Sequence, residues 1–243
     1  MLEKVLDYEE NAFLLLNGYH APFGDQFMWL FSGKVFWIPL AVFFVIMLFY
    51  KNKKHWKETL IVLAAIALVV TLCDQFASGI CKPVFARLRP THHPEFMDKV
   101  QVVFNYRGGR FGFISSHAAN AFGFATLTSL IFKYHFYSVM LYLWAIVNSY
   151  SRIYLGVHFI SDIVAGTIAG LLFGWVVYKL FAFTRKKMLV DKIADGDDPE
   201  NIPRSYTNER LNTILYMLIA TIIVMLFISL LYVLKFIPLV TIK

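Results

Sequence analysis

Long apolar runs alternate with short polar segments along this chain. Hydrophobic residues make up 58% of its 243 positions, which is too apolar for an ordinary soluble domain. A helix that spans a bilayer needs about 20 mainly apolar residues, so the pattern predicts an all-α integral membrane bundle of about six transmembrane helices with a large exterior loop. Lys34 and Pro39 weaken the first run, which leaves five spans as an alternative. The runs cover residues 35–50, 59–80, 114–134, 136–156, 159–183 and 213–240.

The polar segments divide the chain into two parts. Residues 1–24 form an N-terminal segment, whose amphipathic stretch predicts a short helix lying along the membrane interface. Asn17-Gly18 is a typical signal for the end of that helix. Residues 25–243 form a single membrane-spanning domain. It consists of a core that carries the candidate motifs, a polar cytoplasmic loop and a last span, over residues 59–183, about 184–212 and about 213–240.

Basic residues cluster in two polar segments. The formal net charge of +7 suits a nucleic-acid partner, but its distribution favours a role in membrane topology and no such partner. By the positive-inside tendency these segments face the cytoplasm. The exterior loop and the turn at 156–158 then face the other side, which predicts that the candidate motifs are non-cytoplasmic. The clusters are Lys51, Lys53, Lys54 and Lys57, then Arg185, Lys186, Lys187, Lys192, Arg204 and Arg210.

A histidine and an aspartate stand four residues apart at the start of the fifth run. At this spacing His158 and Asp162 share one face of a helix. A carboxylate on one imidazole nitrogen fixes the tautomer and leaves the other nitrogen free to act as nucleophile or base. The same spacing suits a structural ion pair at a helix end, so the pair alone does not decide between the two roles.

The tripeptide Ser115-Ser116-His117 precedes a long apolar helix. It places hydroxyl groups and unpaired backbone N–H groups at the positive end of that helix, where an anion binds favourably. Plain N-capping explains the serines equally well. A histidine in the first turn opposes the helix dipole, however, and indicates another reason for its presence.

Three cationic side chains are predicted on the same side of the membrane. Lys82 and Arg89 are about two helical turns apart, and Arg152 ends the fourth run. Each alone is typical of a residue that snorkels to lipid headgroups. Together with a helix N-terminus and two histidines they indicate a phosphate site, because guanidinium groups bind phosphoryl oxygens bidentately.

The three stretches together resemble the signature of the type-2 phosphatidic acid phosphatase and vanadium haloperoxidase superfamily, in its branch of bacterial membrane lipid phosphatases. The resemblance covers about residues 59–183. Ile114 and Ser116 depart from it, because they stand where the family has Pro and Gly. The matching parts are Lys82-x6-Arg89-Pro90, Ser-x-His at 115–117, and Ser151-Arg152-x5-His158-x3-Asp162.

The resemblance implies a phosphoric ester or anhydride hydrolase of the bacterial inner membrane that needs no metal and no cofactor. It implies that His158 attacks phosphorus to form a phosphohistidine, that Asp162 orients it, and that His117 protonates the leaving oxygen. Opposed protonation of the two imidazoles then predicts a bell-shaped pH profile. The resemblance assigns the phosphoryl oxygens to Lys82, Arg89, Ser115, Ser116 and Arg152.

The expected partner is a lipid phosphate in the membrane. Its chain can stay in hydrocarbon while its headgroup enters a cationic pocket at the surface. Among the lipids that the resemblance implies, undecaprenyl pyrophosphate is the first expectation and lipid A phosphate the second. Phosphatidylglycerophosphate and phosphatidate follow. The sequence predicts no oligomeric state.

Other classes of protein fit the same residues. A metal-dependent hydrolase would use His117, His158 and Asp162 as ligands and would lose its activity in EDTA. An anion or lipid transporter would line a passage with the cations. Haloperoxidase activity belongs to the same superfamily, but a spanning bundle suits lipid substrates better.

A few polar residues remain without a firm role. His92-His93 lie in a loop and are typical of solvated residues rather than metal ligands. Arg107 and Arg110 precede the second motif, and one hypothesis is that they extend the cationic rim toward a second phosphate. Asp74 is costly inside a span, so it is expected to face the bundle interior or a partner.

Overall fold

A computed structural model describes residues 2–50, 56–188 and 206–235. Within these ranges the chain is helical and forms no β-strand, which confirms the all-α class. Lys51, Lys53, Lys54, Lys192 and Arg204 lie outside them. The α-helices are α1 (Leu2–Asn17), α2 (Pro22–Ser32), α3 (Ile38–Phe49), α4 (Trp56–Asp74), α5 (Lys82–Phe85), α6 (Ser116–Phe132), α7 (His135–Tyr154), α8 (Ile160–Met188) and α9 (Asn208–Val233).

The first two apolar runs form interrupted helices. α2 and α3 are separated by the 3₁₀ turn Val35–Trp37 and bend by 62° at the break. α4 continues through the π-helical segment Gln75–Cys81 into α5, so that Trp56–Phe85 forms one long helix. The break lies at Gly33-Lys34, just before the first apolar run, and α2 precedes it.

Three helices among the described residues are long and apolar enough to cross a membrane. They are Trp56–Phe85, α8 and α9, and the bent pair of α2 and α3 makes a fourth if it is counted as one span. α6 has 17 residues, which corresponds to about 26 Å of helix against a hydrocarbon core of about 30 Å. The protein is therefore an integral membrane protein, while the count of six spans stays a prediction.

Glycines bring α8 into close contact with α6. A Cβ atom at Gly166 would lie 2.5 Å from the carbonyl oxygen of Ser115, and one at Gly170 would lie 2.4 Å from that of Ala119. No side chain fits at these distances, so the two backbones approach as in other small-residue helix interfaces. This packing fixes the N-terminus of α6 against the first turns of α8.

Residues 86–115, which the charge pattern predicts to be exterior and which we call the exterior segment, cover the end of the bundle where α5 ends and α6 begins. The segment contains short 3₁₀ turns. Its Phe96 ring packs against Phe13 of α1 and against Phe159, with distances between ring centroids of 5.6 and 5.7 Å. Aromatic pairs at this spacing add to the stability gained from burial. The cluster fastens the exterior segment to both neighbours.

The amide of Asn17 fixes the end of α1. It donates to the backbone carbonyls of Gln101, Ile153 and Tyr154 at 3.2, 3.2 and 2.9 Å, and the side chain is fully buried. A buried amide with satisfied hydrogen bonds holds its segment in one position. α1 therefore lies against the exterior segment and the end of α7, while its location along the membrane interface stays a prediction.

Candidate active site

His158 and Asp162 lie where α7 turns into α8. His158 Nδ1 is 3.3 Å from Asp162 Oδ2, and the backbone N–H of Phe159 donates to the same oxygen at 3.0 Å. Both side chains are buried, with exposed fractions of 1% and 0%. The carboxylate therefore favours the tautomer with a proton on Nδ1, which leaves the lone pair on Nε2.

The surroundings of His158 keep its imidazole neutral. Burial, and after it the positive charges of Arg89, Arg152 and Lys82, holds the pKa of His158 well below its ordinary value of 6.5. The neutral imidazole is the nucleophilic form. The site thus combines an unprotonated Nε2 with three cations whose charges act on it.

The N-terminus of α6 lies beside this pair. Ser115 caps the helix, since its Oγ accepts a hydrogen bond from the backbone N–H of Ala118 at 3.4 Å. Its own backbone N–H donates to the carbonyl oxygen of Asp162 at 3.0 Å, which ties the second motif to the third. His117, in the first turn, lines two cavities of about 450 and 350 Å³. His117 therefore faces space that a substrate can occupy.

Lys82 joins the first motif to the second. Its Nζ lies 3.0 Å from Ser78 Oγ and 3.4 Å from Ser116 Oγ. The second contact uses the side chain that stands in place of the family's glycine. Ser116 therefore places a hydroxyl group beside Lys82 at the N-terminus of α6.

Arg89 and Arg152 are buried guanidinium groups that form no ion pair within the described ranges. Arg89 donates to the backbone carbonyls of Phe111 and Val157 at 3.1 and 3.3 Å, and Arg152 donates to Ser32 Oγ. Burial, and then the charge of Arg152, lowers the pKa of Arg89 to about 10. Two buried cations that repel each other are stabilised by an anion bound between them.

Tyr106 and Lys34 also reach this region, although no sequence motif marked them. The Tyr106 hydroxyl accepts a hydrogen bond from Arg152 at 3.3 Å, and both residues line the smaller cavity with His117. Burial raises the pKa of Tyr106, but the hydrogen bond and positive charge of Arg152, with the charges of Arg89 and Lys34, together bring it below its ordinary value. The smaller cavity is therefore electropositive.

Arg87 is the site residue that the sequence reasoning missed most clearly. Its Nη1 lies 3.0 Å from Asp162 Oδ1, and its Nη2 lies 2.8 Å from Glu9 Oε2. Arg87 stands two residues before Arg89, within the first motif, and a second guanidinium at that place was a signal in the sequence. Glu9 offered no such signal, because only the fold brings it there.

The predicted site residues converge on one end of the bundle, on elements that the close packing of α6 and α8 holds together. Asp74, whose orientation the sequence left open, lines the larger cavity with His117 and Asn120 and so faces the bundle interior. The converging residues are Lys82, Arg89, Ser115, Ser116, His117, Arg152, His158 and Asp162.

The remaining loop residues lie at the outer edge of the site. Burial, together with the guanidinium groups of Arg89, Arg107 and Arg110, lowers the pKa of His92. His92 Nδ1 is paired with Thr91 Oγ1 at 3.1 Å. Within the described ranges no group of three or more His, Cys, Asp and Glu side chains is arranged to hold a metal ion.

A comparison with known families identifies this arrangement. Residues 58–186 match the sequence model of the PAP2 superfamily, and they contain all three motifs. The chain belongs to the PAP2 superfamily. This confirms the resemblance seen in the sequence and makes the protein a membrane phosphoric ester hydrolase.

Relatives of this PAP2 protein include two bacterial enzymes named lipid A 4′-phosphatase. The one from Porphyromonas gingivalis is 45% identical over 77% of this chain and 79% of its own length. The one from Bacteroides thetaiotaomicron is 43% identical over 73% of this chain and 79% of its own length. A crystal structure of a PAP2-type phosphatidylglycerolphosphate phosphatase from Bacillus subtilis shares the fold, with a TM-score of 0.53, 23% identity and coverage of 78% of this chain and 88% of that one.

Proposed function

We propose that this PAP2 protein removes a phosphate group from lipid A at the non-cytoplasmic face of the bacterial inner membrane. The observation that carries the reaction is the buried His158–Asp162 pair, with Lys82, Arg89 and Arg152 acting on it and forming no ion pair in the described part of the chain. Two relatives more than 40% identical carry the name lipid A 4′-phosphatase, and they support this lipid over undecaprenyl pyrophosphate, which was the first expectation from the sequence.

The first step transfers the phosphoryl group to the protein. His158 Nε2 forms a bond to phosphorus as the bond from phosphorus to the lipid oxygen breaks, and His117 gives its proton to that leaving oxygen. Negative charge on the equatorial oxygens is stabilised by Lys82, Arg89 and Arg152. One preorganised donor of this kind is commonly worth about 3 kcal/mol in the transition state.

The second step regenerates the enzyme. His117, now unprotonated, takes a proton from water as the water oxygen attacks phosphorus, and the bond from phosphorus to His158 Nε2 breaks. Inorganic phosphate leaves, and His117 carries the proton needed for the next cycle. Asp162 keeps His158 Nδ1 protonated throughout, as a carboxylate does in other His–Asp pairs.

The larger cavity suits the apolar part of a lipid. It measures about 450 Å³ and extends from His117 and Ser116 into the bundle. Apolar side chains of α3, α4, α6, α7 and α9 line most of it, among them Phe44, Ile66 and Leu215. A lipid chain there leaves its phosphate near Lys34 and His117, which also line the smaller cavity with Arg152.

A direct comparison of substrates tests the proposed lipid. The purified protein in detergent is incubated with bisphosphorylated lipid A, undecaprenyl pyrophosphate and phosphatidylglycerophosphate, and phosphate release is followed for each. We expect the highest kcat/KM for lipid A, and mass spectrometry locates the phosphate that is lost. Faster release from undecaprenyl pyrophosphate, or equally slow release from all three lipids, contradicts the proposal.

The pH dependence is expected to be bell-shaped, with its acid limb below pH 6.5. His158 must be unprotonated to attack, and its pKa lies well below 6.5, so it stays reactive as the pH falls through 6.5 and is protonated only further down. The alkaline limb follows the loss of the proton that His117 donates. The measurement is kcat/KM between about pH 4 and about pH 10, and a profile flat from about pH 5 to about pH 9 contradicts this pairing.

The Arg89→Gln variant tests whether the positive charge of Arg89 lowers the pKa of His158. Removing this cation lets the pKa of His158 rise toward 6.5, so the acid limb moves to higher pH while the maximum falls. Arg110→Gln is the matched control, since Arg110 is exposed, and its acid limb stays in place. An unmoved acid limb in Arg89→Gln refutes the role of this charge.

Labelling of introduced cysteines is expected to show the orientation in the membrane. Glu58 Oε1 lies 2.7 Å from Arg185 Nε, so the start of α4 and the basic end of α8 lie together, about 35 Å along α8 from Asp162. Cys73 and Cys81 are buried, so an impermeant maleimide reports the new cysteine alone. We expect Asp98→Cys to be labelled in intact spheroplasts and Lys186→Cys only after permeabilisation; the reverse pattern contradicts the orientation.

A further inference from the structure

The side of Asp162 that faces away from His158 is held by Arg87. Asp162 Oδ2 meets His158 Nδ1 and the N–H of Phe159, whereas Oδ1 accepts a hydrogen bond from Arg87 Nη1 at 3.0 Å. Arg87 Nη1 also donates to Ser161 Oγ, and the guanidinium lies 4.5 Å from the centroid of the Phe159 ring. The two carboxylate oxygens therefore have separate partners, and rotation of the carboxylate breaks both sets of contacts.

A carboxylate on α1 holds Arg87 in turn. Glu9 Oε2 accepts a hydrogen bond from Arg87 Nη2 at 2.8 Å, and Glu9 Oε1 accepts one from the backbone N–H of Ser161 at 2.8 Å. The Glu9 side chain is 15% exposed and that of Arg87 27% exposed. One residue of α1 thus fastens both the guanidinium and the first turn of α8, although it lies outside residues 58–186, the part that matches the family.

Arg87 differs in its contacts from the cations that face the phosphate site. Lys82, Arg89 and Arg152 form no ion pair with the described carboxylates, whereas Arg87 forms two. Its guanidinium is already used by Glu9 and Asp162, so it is not free to bind phosphoryl oxygens. Its contacts favour a role in orienting the carboxylate rather than in binding the substrate.

We propose that Glu9 and Arg87 are positioning residues for the phosphatase reaction. Glu9 holds Arg87, Arg87 holds Asp162 by Oδ1, and Oδ2 is thereby fixed on His158 Nδ1 so that Nε2 points at phosphorus. The proposal rests on the nucleophilic role of His158 proposed above. Through Glu9, the N-terminal helix α1 then contributes to the active site.

Four variants test the proposal: Arg87→Gln, Glu9→Gln, the double variant, and Glu10→Gln as the matched control. Glutamine at position 9 keeps an acceptor for the Ser161 N–H but removes the charge. We expect Arg87→Gln to lower kcat about 100-fold, since a misplacement of about 1 Å has that effect, while KM changes less than about twofold. Glu9→Gln lowers kcat about 10-fold, and the double variant is no worse than Arg87→Gln alone because Glu9 acts through Arg87.

Chemical rescue separates positioning from a merely structural role. Millimolar guanidinium ion is expected to restore part of kcat to Arg87→Ala, whereas a residue needed only for folding is not replaced by a free ion. Arg87→Lys retains a charge but lacks the fork that reaches two carboxylates, so its kcat falls between those of the wild type and Arg87→Gln. The melting temperature in detergent is recorded for each variant.

Several outcomes overturn the proposal. They are wild-type kcat in Arg87→Gln, a raised KM with unchanged kcat, losses that multiply in the double variant, or an equal loss in Glu10→Gln. The variants are assayed on whichever lipid phosphate the wild type hydrolyses fastest, so an error in the substrate does not affect the comparison. A wild type that hydrolyses none of them refutes the proposed function, and this proposal with it.

Discussion

The His158→Asn variant is expected to lose phosphate release by about 10⁴-fold or more. Removing the nucleophile leaves no Nε2 to accept the phosphoryl group, and losses of this order follow when a member of such a catalytic unit is removed. Lys82, Arg89 and Arg152 remain in place, so the affinity for the lipid changes little. Initial rates on lipid A, together with direct binding of the lipid, measure the two effects separately.

His92→Asn is the matched control for this substitution. His92 lies at the outer edge of the site and bonds Thr91 Oγ1, so its loss leaves the reaction within a factor of about two of the wild type. A His158→Asn protein with more than about a tenth of wild-type activity refutes the nucleophilic role. A variant that releases no phosphate but still moves lipid phosphate across the bilayer of reconstituted vesicles supports the transporter alternative instead.

Substitution of His117 is expected to have the second largest effect, and one that depends on the leaving group. With a lipid phosphate, His117→Asn lowers kcat by about 10²- to 10⁴-fold, the usual contribution of a general acid or base. With 4-nitrophenyl phosphate the first step is nearly unaffected, because nitrophenolate leaves without a proton. The second step still lacks its base, so nitrophenol forms rapidly during the first turnover and slowly afterwards.

Rapid mixing in a stopped-flow instrument measures this burst. The wild type serves as the control. Its His117 takes part in both steps, so the phosphoenzyme is hydrolysed quickly and little of it accumulates. The expected amplitude in His117→Asn equals the concentration of active sites. Equal losses on both substrates, with no burst, would show that His117 does not transfer the proton to the leaving oxygen.

Local sequence patterns predicted where the long helices lie, because each apolar run overlaps one of them along most of its length. The breaks were harder to predict, because they depend on packing. Lys34 and Pro39 marked the first run as unusual, and the bend lies at Gly33-Lys34, between α2 and the helical stretch Val35–Phe49. The π-helical segment Gln75–Cys81 has no sequence signal, since it only shifts the hydrogen-bond register within a continuous helix.

The candidate site was predictable where its residues are close in sequence. His158 and Asp162 lie four residues apart on one helical face, and Ser115 to His117 form one N-terminus, so their arrangement follows from helix geometry. Glu9 reaches Arg87 across 78 positions, and Arg152 reaches Ser32 across 120. Contacts of that kind depend on how α1 and α2 fold back on the bundle, and no local pattern contains this information.

The substrate was the least predictable part. Lys82, Arg89 and Arg152 are suited to phosphoryl oxygens, and every lipid phosphate presents such oxygens. The lipids differ in parts that lie away from this group, so the motif residues alone gave no basis for an order among them. The family resemblance placed undecaprenyl pyrophosphate first, and the two relatives support lipid A instead.

Trapping the phosphoenzyme shows directly whether His158 is the nucleophile. His117→Asn protein is mixed with 4-nitrophenyl phosphate, quenched in alkali, digested and analysed by mass spectrometry. We expect a phosphoryl group on His158, in an amount that matches the burst, and none in the protein that also carries His158→Asn. A phosphoryl group on another residue, or a burst with no phosphorylated peptide, would contradict it.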